Sequence, residues 1–572
     1  IKLATQVKED KSFPWPNAAN VKYPLVTTAA LQFASRAYPA LVQGNNPVKV
    51  DLIGFDPNGK KAEAATRISK HLSYQLLHQM EEWEEDMDKT MTVLPIIGTS
   101  FKKTYFCPQR QRNVSEFVNP RDLVINYYAK SVETANRKTQ ILTYYPNEIV
   151  ELQRTGFFKD CELHQGQGLE EQGLAYETTG VTEPPTDDHS AHEVLECHCL
   201  LDLDEDGYME PYIVHIHKDM EKVLRIYPRF SERDVQMNDD GEIAKITPIE
   251  HYTGYQFIPN PESDIYGLGF GTLLGPLNET ANTLINQLLD AGTLSNTQGG
   301  FLGRNFKIKG GVNSFKPGEW KITNSTGDDL RKSIFPLPVR EPSGTLFQLL
   351  GTIIDAGQSL SGTKDIMMGE SPGQNQPATT TMAVLEQGLK VFTSIHKRVY
   401  RSMKKELKKL FKLNALYMQD EEYYRILDYE PTRDIMKAKA EIKNMVQQAQ
   451  QQGQQVPPEL IQQAEQELIS KFQNTGMIYR NDYLENYEDA SVVPAGDPNV
   501  VTQAQKLVKA EALLQAMASG MPLNREEVTY RFLEAQEQAN IPALMDVPPP
   551  QPDPEIMLKQ QEFQWRQQYE TQ

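Results

Sequence analysis

The sequence predicts an α+β protein that is mainly helical. Apolar residues recur at three- and four-residue spacing along several stretches, of which 381–418 is the longest, as is typical of helices that bury one face. Short apolar and β-branched runs at 194–201 and 211–217 flank a turn, which is typical of paired strands. The 572 residues, 39% of them hydrophobic, predict more than one folding unit with sizeable cores.

The first predicted elements are an extended start, two helices and a series of strands. Prolines at 13–17 hold the backbone extended, and the apolar spacing from Leu25 to Ala37 predicts a helix that Pro39 ends. The same spacing predicts one long helix from about 62 to 91. Strands are predicted at 99–107, 122–125, 194–201, 211–217 and 223–227.

A glycine-rich stretch leads into the next helix. Residues 267–275 contain four glycines. The three at 267–271 predict a hinge, and Pro276 is predicted to open the helix because proline is favoured in a first turn. One side of this helix is an apolar seam for packing against other helices, and the opposite side is polar. The seam consists of Leu274, Leu277, Ala281, Leu284 and Leu288, and the polar series consists of Asn278, Asn282 and Asn286.

The second half of the chain alternates between helical and polar stretches. Residues 298–342 are rich in Gly, Asn, Lys and Arg and hold short strand candidates, and a helix is predicted at about 345–360. After a polar loop at 362–379 comes the long helix 381–418, in which nine basic residues oppose two acidic ones, a net charge of +7.

The remaining stretches complete the predicted organisation. Residues 157–192 are polar and predict a surface insertion, and 435–472 form a glutamine-rich helical stretch that Pro457 and Pro458 break. A strand is predicted at 482–493, helices at 503–517 and 525–538, a stiff linker at 548–554 and an amphipathic helix at 555–569.

The succession of these elements resembles the portal proteins of tailed bacteriophages, particularly the large P22-like type. The resemblance covers most of the chain in order, and its specificity lies in the succession. The glutamine-rich stretch 447–466 and the polar stretch 166–188 match no shared pattern of that family. At the residue level, the similar stretches are Phe13-Pro-Trp-Pro-Asn17, residues 264–271 with 277–288, Ala378-Thr-Thr-Thr-Met382 and residues 493–499.

The resemblance implies a portal fold with a helical C-terminal crown or barrel. Its parts are expected to be a wing at 1–265, a first stem helix at 266–297, a β-containing clip at 298–343, a second stem helix at 344–361, a channel loop at 362–380, a long wing helix with a return to the wing at 381–495, and the crown at 496–572.

The resemblance also implies a role in the virion, at the capsid portal vertex. The expected assembly is a homo-oligomeric ring, commonly of twelve subunits, through which double-stranded DNA passes non-specifically during packaging and ejection. The expected protein partners are the terminase large subunit, head-to-tail adaptor and tail proteins, the major capsid protein and the scaffolding protein. No enzymatic activity and no cofactor are expected. No apolar stretch reaches the ~18–20 residues that a membrane span needs.

Two sets of side chains are candidates for contact with DNA or with partners. The basic helix 381–418 predicts a cationic face near DNA or at a subunit contact, although a solvated helix face would also explain it. The loop 362–379 is either a channel loop or a surface linker. Channel candidates are Asn278, Asn282, Asn286, Lys364, Lys397 and Arg401, and clip candidates are Arg304, Lys307, Lys309, Lys316, Lys321, Arg331 and Lys332.

The overall charge limits how DNA can be held. The chain carries a net charge of −19, from 58 basic and 77 acidic residues. Tight binding to nucleic acid needs many cations against phosphates. The sequence therefore argues against a high-affinity DNA binder and is compatible with a surface past which DNA slides.

Two short motifs raise the question of a metal. Asp202, Asp204 and Asp206 alternate before a glycine, like half of a calcium loop, but the expected bidentate glutamate is missing and a turn between strands is the commoner explanation. Cys197 and Cys199 flank His198 at a spacing that predicts one strand with the thiols in the core, and zinc sites usually space their cysteines further apart.

Two rival functions remain open at this level. A metal-dependent nuclease could use Asp202, Asp204 and Asp206, and a non-viral scaffold could oligomerise through the helical tail. The sequence contains no Walker loop, no Gly-x-Ser-x-Gly and no His-Glu-x-x-His motif, so it predicts no P-loop ATPase, serine-hydrolase or zinc-protease chemistry.

Overall fold

The computed structural model shows an α+β protein. It divides into two compact units, which are described separately: Ile1–Pro39, Gln75–Tyr417 and Val492–Pro494 form the first, and Ala40–Tyr74, Met418–Ser491 and Ala495–Gln572 the second. The described residues are 1–7, 15–16, 18–42, 46–56, 59–163, 191–239, 241–296, 300–302, 334–336, 342–361, 378–423, 477–496, 503–536, 538 and 544–545.

The elements are numbered along the chain. The helices are α1 (Leu25–Leu41), α2 (Lys60–Tyr74), α3 (Glu82–Ile97), α4 (Pro146–Arg154), α5 (Phe270–Asn296), α6 (Gly344–Ser361), α7 (Ala378–Tyr417), α8 (Arg480–Glu485), α9 (Gln503–Ala518) and α10 (Arg525–Ala535). The strands are β1 (Val48–Leu52), β2 (Thr99–Cys107), β3 (Arg112–Val118), β4 (Leu123–Ile125), β5 (Lys138–Tyr144), β6 (His192–Leu201), β7 (Glu210–His217), β8 (Lys222–Pro228), β9 (Val235–Met237), β10 (Ile243–Ile246), β11 (Tyr252–Gln256), β12 (Ile258–Asn260), β13 (Ser263–Leu268), β14 (Gly300–Leu302), β15 (Ile334–Pro336), β16 (Glu421–Tyr423), β17 (Met477–Tyr479) and β18 (Ala490–Pro494).

Two antiparallel sheets organise the first unit. One has three strands in the order β11–β2–β3, and the other has five in the order β4–β5–β6–β7–β8. The strands predicted at 99–107, 122–125, 194–201, 211–217 and 223–227 are confirmed, each within a residue or two of its expected bounds. Helices α3 and α7 pack against the three-stranded sheet, so β2 is buried along most of its length.

The helix predicted from 62 to 91 is wrong as a single helix. The structure divides it into α2, a π-helical turn at Gln75–Gln79, and α3. The Met80 amide donates to the Gln75 carbonyl, five residues back. The buried Gln75 side chain exchanges two hydrogen bonds with Asn414, at 2.7 and 3.0 Å, which accounts for a bulge that turns this side chain inward.

Helices α5 and α6 pack against each other, as the apolar seam predicts. Ala281, Leu284 and Leu350 form the buried centre of their contact. Strands β14 and β15 pair antiparallel in the interval between the two helices. The prediction that Pro276 opens α5 is wrong, because the helix begins at Phe270, whose ring packs 4.9 Å from that of Phe257.

The second unit contains α2, the β16–β17 pair, α8 and the packed helices α9 and α10. The helices predicted at 503–517 and 525–538 are confirmed, the second ending three residues early. The strand predicted at 482–493 is wrong in its first half, where α8 forms. At the start of this helix the Asp482 carboxylate accepts hydrogen bonds from the backbone amide of Tyr479 and from the guanidinium group of Arg67.

Helix α7 confirms the predicted long helix, and its side chains are described from Thr393 onward. None of the described helices has the length and apolarity that a membrane crossing requires. Several predicted segments lie wholly or mostly outside the described residues: 157–192, 298–342, 362–379, 435–472 and 548–569.

Candidate functional site

Helix α7 presents one apolar face to the sheet and one cationic face to the surface. Among its described residues, the buried apolar side chains are Ile395, Val399, Met403, Leu407, Leu410, Phe411, Leu413 and Ala415. Between residues 393 and 412, the exposed residues are Ser394, Lys397, Arg401, Lys404, Lys405 and Lys408. Lys397 and Arg401, predicted as DNA contacts, therefore lie on the exposed face.

Four of these cations lie along one line, which we call the cationic stripe: Lys397, Arg401, Lys404 and Lys408. At about 100° per residue they fall within about 60° of one another around the helix axis. At about 1.5 Å per residue the stripe is about 16 Å long. The remaining cations of residues 393–417 are placed differently.

Two cations of α7 are turned toward the sheet. Lys409 is buried, its ammonium donates to Thr253 Oγ1 at 2.9 Å, and burial lowers its pKa to about 8. Arg398 donates to the carbonyl oxygen of Phe257 at 3.0 Å. These contacts and the apolar face hold the helix against β11 and the segment that follows it.

Glu406 is a buried carboxylate at the centre of the inward face of α7. Its Oε1 accepts from Trp83 Nε1 at 2.8 Å and Ser115 Oγ at 2.7 Å, and lies 3.0 Å from Lys102 Nζ. Tyr255 donates to Oε2. Burial by itself would raise the pKa of Glu406, but Lys102 and the hydrogen-bond donors hold it below its ordinary value. The carboxylate thus fixes the rotation of α7.

Sequence reasoning missed the role of Glu406, although a signal was present. Residues 393–417 contain eight Lys and Arg residues, and Glu406 is the single acidic residue of this stretch. It also falls at the spacing of Met403, Leu407 and Leu410, on the apolar side of the helix. An acid at an apolar position of a basic helix indicates a buried partner, but the partner itself lies some 300 residues away in sequence.

Helix α5 carries a second polar series, and this one is buried. The four residues Asn278, Asn282, Asn286 and Asp290, which we call the acceptor ladder, accept hydrogen bonds from backbone amides of residues 19–25. The four bonds are Ala19 N to Asp290 Oδ1 (2.7 Å), Val21 N to Asn286 Oδ1 (2.7 Å), Tyr23 N to Asn282 Oδ1 (2.6 Å) and Leu25 N to Asn278 Oδ1 (3.1 Å).

The regularity of the ladder follows from two matching repeats. Four residues of a helix rise about 6.0 Å, and two residues of an extended chain advance about 6.2–6.6 Å. Every second amide of the N-terminal segment therefore meets every fourth side chain of α5. The prediction that Asn278, Asn282 and Asn286 line a channel is corrected, because their acceptor atoms are buried and occupied by the same chain.

The α5–α6 pair also exposes large apolar side chains. Phe347 is 71% exposed and Leu360 53% exposed on α6, and on α5 Leu289 is 45% and Leu294 42% exposed. Leu349 adds a further exposed side chain on α6. Grouped exposed apolar side chains are typical of protein–protein interaction surfaces.

Several predicted site residues lie outside the described part of the chain. They are Lys364 of the predicted channel loop and the clip candidates Arg304, Lys307, Lys309, Lys316, Lys321, Arg331 and Lys332.

The glycines before α5 form a tight backbone crossing rather than the predicted hinge. At Gly98, which follows α3 with a φ of +97°, an added Cβ would lie 2.4 Å from the Gly267 carbonyl oxygen. At Gly267 and Gly269 it would lie 2.5 Å from backbone atoms of Gly98, and at Gly271 it would lie 2.7 Å from the Ile96 carbonyl oxygen. The glycines thus allow two backbones to touch.

The three aspartates of the β6–β7 connection lie together on the surface. One ligand atom from each of Asp202, Asp204 and Asp206 can be chosen so that all lie within 4.8 Å of one another. Two of the carboxylates already bind the turn: Asp202 accepts from Gly207 N at 3.1 Å and Asp206 from Tyr208 N at 2.7 Å. The turn explanation accounts for this arrangement without a metal.

Side chains of strand β6 alternate between buried and partly buried, as predicted, but the buried set is the one that the sequence placed on the other face. His198 and Glu196 are buried, whereas Cys197 and Cys199 are only partly buried, so the prediction that the thiols are core residues is wrong. The reason is Glu196, whose carboxylate binds Lys103 at 2.7 Å and His198 at 2.8 Å.

Glu196 joins the two sheets of the first unit through an ionic network that sequence reasoning missed. Tyr252 of β11 donates to it at 3.3 Å, and His215 of β7 lies 3.3 Å away. Burial alone would raise the pKa of Glu196, yet Lys103 and the histidines lower it well below its ordinary value. The network is structural, since its groups are buried and its carboxylate is paired with Lys103, His198, His215 and Tyr252.

Neither the protein-family models nor the curated proteins with which this chain was compared include a match to it.

Proposed function

We propose that this chain is the subunit of a portal-type ring at the capsid vertex of a tailed bacteriophage. Such a ring is a conduit for double-stranded DNA during packaging and ejection, and a docking site for the terminase large subunit and for head-to-tail adaptors. Contacts with the major capsid and scaffolding proteins belong to the same proposal. The proposal assigns no catalytic activity to the subunit itself.

The observation that carries the proposal is the arrangement around α5 and α6. Two long helices pack together, the interval between them begins and ends in the paired strands β14 and β15, and the long helix α7 follows. This order supports the proposal that α5 and α6 are the stem helices, the interval between them the clip, and α7 the wing helix. The wing, the crown and the channel loop that the sequence resemblance implies are part of the same proposal.

The apolar side chains on the helix pair support the ring. Phe347 and Leu360 are more than half exposed, and a single protomer leaves them in water. Burying such side chains between copies contributes about 1.5–3 kcal/mol each. Neighbouring subunits, commonly twelve in the family that the sequence resembles, would supply that cover.

The test is direct imaging of the assembly. The full chain and virion or procapsid material are examined by electron microscopy, with native mass spectrometry for the subunit number. Closed rings are expected, and Phe347→Glu is expected to abolish them. The matched control is Gln348→Glu, which adds the same charge at the neighbouring exposed position and should still form rings.

Two results would contradict the proposal. A protomer that stays monomeric in every preparation, virion material included, excludes a ring. Metal-dependent cleavage of DNA that is lost in Asp204→Ala would instead support the nuclease alternative built on the aspartate turn.

A further inference from the structure

The exposed face of α7 has an unusual composition for a protein surface. Between residues 393 and 412 every exposed residue except Ser394 is a lysine or an arginine. The described stretch 393–417 carries eight basic residues and one acidic one, Glu406, which is buried. The helix is therefore locally cationic within a chain whose net charge is −19.

This face is also held rigidly. Glu406 and Lys409 lock the opposite side of the helix to the sheet, and Lys405, at the edge of the face, pairs with Glu133 at 3.0 Å. The backbone that carries the cationic stripe therefore needs no reordering when a ligand binds, and only the side chains lose freedom.

The composition favours a phosphate backbone over a protein as the ligand. The centre of a protein interface is apolar or aromatic and is depleted in lysine. The exposed face between 393 and 412 offers no apolar anchor, since its residues are one serine and five cations. Contacts to nucleic-acid phosphates require only cations along a continuous line of negative charge.

We propose that the cationic stripe Lys397, Arg401, Lys404 and Lys408 binds the phosphate backbone of double-stranded DNA without reading base sequence. The choice of duplex DNA rests on the proposed function. Four contacts per protomer make the binding weak and sensitive to salt, which suits a duplex that must move.

The experiment measures binding of a short mixed-sequence DNA duplex to the full chain by fluorescence anisotropy across a salt series. Four released counterions predict a slope of the logarithm of the binding constant against the logarithm of salt concentration of about −3.6. The variant with all four stripe residues changed to Gln is expected to lose at least about tenfold in affinity and most of that slope.

A matched control removes the same charge elsewhere. Changing Arg121, Lys130, Lys159 and Lys245 to Gln also removes one arginine and three lysines, all exposed in the first unit. This control should keep both the affinity and the slope. An equal loss in the control would show a net-charge effect and overturn the inference, as would unchanged binding by the stripe variant.

Two further readouts separate the alternatives. Polyglutamate of matched length should compete poorly with the duplex. If it competes equally well, the stripe is a site for acidic proteins and the inference fails. Electron microscopy of the same proteins keeps the two proposals distinct. If rings form but DNA binding does not depend on the stripe, the portal proposal stands and the stripe inference fails. If DNA binding depends on the stripe but no rings form, the stripe inference stands and the portal proposal fails.

Discussion

Helices α5 and α7 both carry a polar series at helical spacing, yet they turn it in opposite directions. The acceptor ladder of α5 is buried under the N-terminal segment, and the cationic stripe of α7 faces outward. The difference follows from what each group needs. An amide oxygen is satisfied by one backbone N–H, whereas an ammonium or guanidinium group is costly to bury without several partners. The spacing of polar residues shows which of them share a helix face, and the type of polar group decides whether that face is buried or exposed.

The largest expected effect comes from removing the carboxylate that α7 buries, that of Glu406. Glu406→Ala leaves Lys102 buried without its partner, which should lower the free energy of unfolding by about 3–5 kcal/mol. Urea denaturation followed by tryptophan fluorescence measures this. Glu85→Ala, at an exposed position of α3, is the control and should change stability by less than about 0.5 kcal/mol. A loss below about 1 kcal/mol for Glu406→Ala would show that the pair is not holding the helix.

A smaller effect is expected from shortening the ladder of α5. Asn282→Ala and Asn286→Ala each leave one backbone amide without its acceptor, at a cost of about 1–3 kcal/mol each. The same denaturation measurement applies, and limited proteolysis should cut the N-terminal segment faster. Thr280→Ala and Thr283→Ala are the controls, because these exposed hydroxyls donate to carbonyls of their own helix. Equal sensitivity in the controls would rule out the ladder as the cause.

His396, on the inward side of α7, predicts a pH effect. Burial lowers its pKa to about 4, so between pH 6.5 and 4 the unfolded chain binds more protons than the folded one. Stability from this group is complete above about pH 6.5 and is lost as pH falls toward 4, by up to roughly 1 kcal/mol per pH unit. His396→Phe, beside Phe33 at 5.9 Å, should lose less stability over this range.

The control for this pH effect is an exposed residue that carries no titratable group. Thr280→Ala should follow the pH dependence of the parent protein throughout the range, because it leaves His396 in place. The difference in free energy of unfolding between His396→Phe and the parent must grow as pH falls, and a constant difference would contradict the assignment.

The smallest effect on stability is expected on the outward side of α7. Single changes of Lys397, Arg401, Lys404 or Lys408 to Gln should alter the free energy of unfolding by no more than about 0.5 kcal/mol, because exposed charges contribute little. Denaturation curves of the four variants check this. A loss comparable to that of the ladder variants would mean that the stripe supports the fold and that the contrast between the two helices is false.

Much of the fold follows from local patterns. The bounds of β2, β6 and α7 were predictable because alternation and helical spacing are properties of consecutive residues. The break at Gln75–Gln79 was not, since a π-helical turn depends on the side chain of Asn414, far away in sequence. The glycines of 267–271 can be recognised in the sequence, but their contact with Gly98 cannot. The sequence therefore predicts a hinge where the structure has a close backbone contact.

The candidate site was predictable to the same extent. Lys397 and Arg401 could be assigned to an exposed face because cations in water need no particular partner. The direction of Asn278, Asn282 and Asn286 could not, because it depends on a segment more than 250 residues earlier. Glu406 and Glu196 were hidden for the same reason, since each is buried beside a lysine of β2 that is distant in sequence, Lys102 for Glu406 and Lys103 for Glu196.

The acceptor ladder has a consequence for which residues the N-terminal segment can carry. It recognises backbone N–H groups, so the one residue it excludes at positions 19, 21, 23 and 25 is proline, which has no N–H. The chain's own Pro24 lies between two donors and removes none of these bonds. Changing an exposed side chain of this segment, such as that of Val21, leaves the four hydrogen bonds in place, whereas changing one of the four acceptors on α5 removes a bond.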